Sequence, residues 1–271
     1  MRRSPGAAPS LFTGTAAAVV TRRDRILIWV CIAVLTAIAW AYLFHLDRQM
    51  ADAMAYGQMM ADMGMSMDTP WTAKDAFLTF VMWSVMMIGM MAPSAAPVMT
   101  LFRASQRGRG GGAAPTVAFG GGYLLIWMAF SLVAALAQWA LHDAALLSPA
   151  MTVVNRALGA AVLLAAGVYQ LTPLKRACLT HCRTPLGFLM SQWRDGLRGA
   201  LAMGVRHGAY CVGCCWALMG LLFVGGVMNL LWVATLTIVV LLEKAVPGGM
   251  VIARVAGLGM IAAGLLHLVS A

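Results

Sequence analysis

Apolar residues fall in long blocks separated by short polar or basic breaks, at about 26–46, 76–102, 116–141, 152–172, 207–224, 230–242 and 250–269. Crossing the hydrocarbon core of a bilayer takes roughly 20 apolar residues in a helix. Within the core every backbone N–H and C=O must be bonded inside its own segment. The blocks are rich in Leu, Ala, Val and Met and do not alternate as strands would, so the pattern predicts an all-α, polytopic helical bundle of about seven transmembrane helices. It divides the chain into a basic arm (1–25), a first helix (26–46), a Met/Asp-rich polar segment (47–75) and a six-helix membrane domain (76–271). Within that domain, 173–206 reads as a basic inner segment with an interfacial helix near 186–201.

Charge orients the bundle. With the N-terminus in the cytoplasm, only Arg48, Lys74 and Arg156 of the 19 Lys and Arg fall outside, leaving 16 inside. Cytoplasmic loops carry such an excess. Six of the nine acids (Asp47, Asp52, Asp62, Asp68, Asp75, Asp143) fall on the outer side. Seven spans then put the C-terminus outside, in a bacterial inner membrane. The net charge of +10 is explained by this bias. No nucleic-acid partner is expected, since no soluble basic domain carries the charge. The start, MRRSPGAAPS, reads as part of a basic inner flank rather than a cleavable signal. The GRGGG stretch lacks the Gly-Lys-Ser/Thr ending of a phosphate loop. A composition of 62% hydrophobic and 10% charged residues agrees with a chain whose solvent is lipid.

The unusual chemistry is sulfur: 22 methionines and six cysteines. The outer segment holds Met50, Met54, Met59, Met60, Met63, Met65 and Met67, seven methionines in eighteen residues, with Met63, Met65 and Met67 as its most ligand-like run. Thioether sulfur is a soft ligand that selects Cu(I). The competing reading is an apolar face, because Met fills irregular gaps. In the second block Met82, Met86 and Met90 recur every four residues on one helical face, with Met87 and Met91 beside them. Pro93 and Pro97 free backbone carbonyls there, and interrupted helices often mark substrate sites. Core packing explains such a stripe equally well.

The fifth block opens HGAYCVGCCW. Cys211, Cys214 and Cys215 lie within one helical turn of each other. They suit a soft-metal site, a redox pair, or small residues easing helix packing. Cys178, His181 and Cys182 form a second cluster in the inner basic segment, where a Cys/His set favours metal over disulfide. His45, His142 and His267 end helices on the outer side. Glu243 beside Lys244 reads as a helix-end pair or as snorkelling side chains.

The stretches WSVMMIGMMAPSAAP, TPLKRACLTHCR and HGAYCVGCCWALMGLLFVGGVMNLLW, followed by LLEKAVPGG, resemble a bacterial family of predicted metal-binding integral membrane proteins marked by MMxxMMxPS and CxxCCW motifs. The resemblance covers about 72–267. It implies a multi-helix membrane fold with a metal site at Cys211, Cys214 and Cys215.

The leading expectation is a non-enzymatic protein that captures, transports or delivers copper as Cu(I), with the bilayer and a copper-binding periplasmic or membrane protein as partners. Met91 stands about 18 Å from Arg103 and Cys215 about 13 Å from Arg206 at 1.5 Å per residue. A sulfur ladder could thus run from Met63, Met65 and Met67 through Met82, Met86 and Met90 to the cysteines. The alternatives are a membrane thiol–disulfide electron carrier using Cys211 and Cys214, and a non-catalytic structural subunit.

Overall fold

The computed structural model describes residues 21–64, 72–148 and 151–269. These form ten helices: α1 (Arg22–Asp62), α2 (Ala73–Gly108), α3 (Ala114–Asp143), α4 (Arg156–Leu171), α5 (Pro173–Arg183), α6 (Pro185–Gln192), α7 (Gly196–Gly220), α8 (Leu222–Gly225), α9 (Leu230–Ala245) and α10 (Gly249–Val269). Among the described residues, extended pairing is confined to one isolated bridge between Leu147 and Val153. The protein is all-α.

Five stretches are long and apolar enough to cross a membrane: Arg22–Met60, Ala73–Gly108, Ala114–Asp143, Gly196–Gly225 and Gly249–Val269. A sixth arises if α4 and α5, bent by 64°, count as one broken span. The seventh expected span corresponds to α9, whose 16 residues extend only about 24 Å. That falls short of a hydrocarbon core of roughly 30 Å.

Two further elements differ from the sequence pattern. α1 does not stop near Leu46 but continues as helix to Asp62. The polar stretch DRQMADAMAYGQMMAD is rich in Ala, Met and Gln, all good helix formers. Its polarity removes the apolar signal but not the helix. The expected interfacial helix near 186–201 is instead α6 and the first turn of α7, separated at Trp193–Asp195 and at Gly196, whose φ of +79° favours glycine.

Many large apolar side chains lie on the surface, which is compatible with a multi-pass membrane protein. Ile26, Val30, Val34 and Ile38 of α1, Val133 of α3 and Leu266 of α10 all face outward. Glycines let neighbouring helices approach closely at several contacts. A Cβ at Gly204 of α7 would meet the Phe119 carbonyl of α3, and one at Gly122 would meet the Leu201 carbonyl. A Cβ at Gly167 of α4 would lie 2.7 Å from the Gly257 carbonyl of α10.

α2 is the innermost helix. Its buried residues include Met82, Trp83, Met86, Met87, Met90 and Met91. Thr72 and Asp75 close its N-terminus in a reciprocal capping box. Charged pairs gather at its other end. Arg107 bonds Asp24 of α1 at 2.6 Å, and Arg103 lies 3.7 Å from the same carboxylate. Arg109 pairs with Asp195 at 2.9 Å. The start of α1, the end of α2 and the start of α7 therefore share one basic end of the bundle.

Candidate functional site

The site begins with a kink. Thr172 ends α4 and caps α5: its hydroxyl donates to the Tyr169 carbonyl at 2.7 Å and accepts from the Lys175 amide at 3.2 Å. Pro173 follows at the first helical position, where its missing N–H costs nothing. The turn lays α5 across α7. Gly213 makes the contact close, since a Cβ there would lie 2.9 Å from the Cys178 sulfur. One turn later, Cys182 packs against the buried cluster that holds Cys211, Cys214 and Cys215. The two cysteine motifs, separate in the sequence, form one cluster.

Cys211 is its hub. Lys244 Nζ of α9 lies 3.0 Å from Cys211 Sγ, and the Tyr123 hydroxyl of α3 lies 3.2 Å from it. Lys244 also reaches Ser94 Oγ at 3.3 Å and Met91 Sδ at 3.9 Å on α2. Tyr123 and Ser94 both donate to the Met91 carbonyl, at 2.9 and 2.8 Å. Around Pro93, α2 thus presents a thioether, a hydroxyl and a carbonyl that accepts two hydrogen bonds. The helix itself runs unbroken through Pro93 and Pro97.

The expected Glu243–Lys244 pair does not form. Adjacent residues do not face each other on a helix. Glu243 turns inward to bond Lys175 at 2.6 Å and Gln170 at 2.9 Å, with both members of the ion pair 1% exposed. Lys244 faces the sulfur cluster instead, where its positive charge complements thiolate. Arg183 donates to the Glu243 and Pro247 carbonyls and ties the end of α5 to the end of α9.

Other expected residues divide into two groups. Met82, Met86, Met90 and Met91 are buried in the same core cluster as Cys211, Cys214 and Cys215, and Cys178 and Cys182 pack against that cluster. His181 is apart: its ring stacks on Tyr210 at 4.2 Å and its Nδ1 donates to the Ala177 carbonyl. Met63 is exposed at the end of α1, and Met65 and Met67 lie outside the described residues.

Sequence reasoning passed over Tyr123 and His207, and it read Lys244 only beside Glu243. His207 stands one turn before Cys211, is 3% exposed, and rests among Phe119, Tyr123 and Phe188 with no hydrogen-bond partner for Nδ1. The i, i+4 spacing of His207 and Cys211 was a readable signal for a shared face.

All six cysteines are free thiols. Among the described residues, no three His, Cys, Asp or Glu side chains stand ready as a metal shell. The reason is visible in the thiols: Cys214 and Cys215 both donate to the Cys211 carbonyl, at 3.1 and 2.9 Å. Rotation about χ1 releases each from that bond. The donor set is thiol and thioether, which suits Cu(I) better than a hard cation.

No curated protein and no solved structure matches the chain. A family of copper chaperones, designated PpoB2, matches residues 80–267. The match takes in the methionine stripe and every cysteine except Cys31, and it leaves out the exposed end of α1. Since it covers well over half of the sequence, the chain belongs to this copper chaperone family.

Proposed function

We propose that the protein is a multi-pass membrane chaperone that holds Cu(I) among Cys182, Cys211, Cys214, Cys215 and Met91 and passes it to a copper-binding acceptor. The observation that carries this reading is the packing of Cys178 and Cys182 of α5 against the buried cluster that holds Met91, Cys211, Cys214 and Cys215. Soft side chains from α2, α5 and α7 gather in one buried region, and among the described residues Lys244 beside them makes no ion pair with a carboxylate. Cu(I) accepts a small number of soft ligands and moves between sites by ligand exchange, without change of oxidation state. A centre whose thiols rest on a backbone carbonyl suits that task, because rotamer changes are enough to take up or release the ion. Met82, Met86 and Met90 supply thioethers along α2 that lead toward the centre.

The test is Cu(I) titration of the full-length protein under anaerobic, reducing conditions against a chromophoric Cu(I) chelator. The wild type should compete for one tightly held ion. Replacement of Cys211, Cys214 and Cys215 with Ser keeps the size but removes the soft thiolates, and should weaken that site by 100-fold or more. A reversible Cys211–Cys214 disulfide in native membranes, with little copper bound, would transfer the site to thiol–disulfide electron transfer.

A further inference from the structure

A groove of about 530 Å³ lies between α1, α2 and α3, and none of the proposed metal ligands lines it. Its walls are apolar, with Leu27, Ile28, Ile32 and Leu35 from α1, Ala92 from α2 and Leu124 from α3. Its mouth is basic: Arg23, Arg103 and Arg107 line it against a single carboxylate, Asp24. Asp24 engages Arg107 and Arg103, while Arg23 has no ion pair among the described residues. Two positive charges are therefore left over. Thr116 lines the same groove and is 7% exposed, and its hydroxyl has no hydrogen-bond partner. A buried hydroxyl without a partner is costly unless something polar meets it.

We propose that this groove binds one anionic phospholipid of the inner leaflet, its phosphate held by Arg23, Arg103 and Arg107, its glycerol backbone at Thr116 and an acyl chain along α1. The inference rests on the multi-pass reading of the chain. Length agrees with it: Arg23 to Leu35 spans about 18 Å of helix, close to one leaflet of a hydrocarbon core of roughly 30 Å. Basic pockets between helices on the cytoplasmic side suit anionic headgroups. The groove ends on Tyr123, whose hydroxyl touches Cys211. A chain lying there excludes water from that wall of the sulfur centre.

The groove also holds its own reporter, Cys31, an exposed free thiol among the lining residues. The experiment measures maleimide modification of Cys31 by mass spectrometry in the full-length protein, in nanodiscs of phosphatidylcholine with or without phosphatidylglycerol. Phosphatidylglycerol should slow the reaction about 10-fold. The Arg23→Gln/Arg107→Gln variant changes two exposed side chains and should lose the difference. Thr116→Val, which keeps the shape, should reduce it. Native mass spectrometry should show one retained phosphatidylglycerol on the wild type and none on the double variant. Equal rates in the two lipids would overturn the proposal, as would protection that survives the double variant or is given by inorganic phosphate alone. Recovery of the chain outside the membrane fraction would remove the membrane reading as well; recovery in membranes with equal rates would remove this inference alone.

Discussion

The sulfur of this protein lies in two regions that obey different physics. The methionines of α2 and the cysteines of α7 are almost completely buried and locked against neighbours on α3, α5 and α9. The far end of α1 is also rich in methionine, yet Met59 and Met63 are more than half exposed there. Composition alone treats the regions alike. Burial separates them: in the first, each sulfur is enclosed by packed neighbours, whereas in the second Met59 and Met63 face outward. A fixed site can discriminate between ions by geometry, while an exposed helix end can only raise the local concentration of a soft ion.

The largest effect expected from this contrast is on stability. Glu243→Gln leaves the buried Lys175 charge uncompensated and should cost about 3–5 kcal/mol. Asp195→Asn breaks the exposed pair with Arg109, its side chain 80% exposed, and should cost less than about 1 kcal/mol. Thermal unfolding in lipid reads both. Restoring most of the lost stability with Glu243→Gln/Lys175→Met would identify the unpaired charge as the cause. Equal melting of the two single variants would mean that the polar floor of the centre is wetter than its burial suggests.

A smaller effect separates the methionines. Met86→Leu and Met90→Leu conserve volume, so each should cost under about 1.5 kcal/mol. The double variant should fold and keep the cysteine site, yet lose copper transfer through α2. Met63→Leu should leave stability and transfer at high copper unchanged and weaken capture only when copper is scarce. Normal transfer in the Met86/Met90 variant would reduce the stripe to core packing.

The smallest perturbation changes no side chain in either region. Reporter fusions after Asp62 should score outside and those at Arg107 or Arg183 inside. An inside signal at Asp62 would place the methionine-rich end of α1 in the cytoplasm, and it could then no longer feed the centre from without.

The helices were legible because their cause is local: runs of good helix formers, caps such as Thr72–Asp75, and apolar stretches of bilayer length. The same local logic read the spacing of Cys211, Cys214 and Cys215 and the face shared by Met82, Met86 and Met90. It failed where polarity concealed a helix, as in α1 beyond Leu46, and where adjacency in sequence suggested contact, as for Glu243 and Lys244. The packing of Cys182 against the cluster of Cys211 and the aim of Lys244 at the sulfur were decided only in three dimensions. The closeness that Gly204 and Gly213 permit and the capture of Glu243 by Lys175 are contacts between residues far apart in the chain. A sequence specifies such contacts only through the packing of the whole bundle.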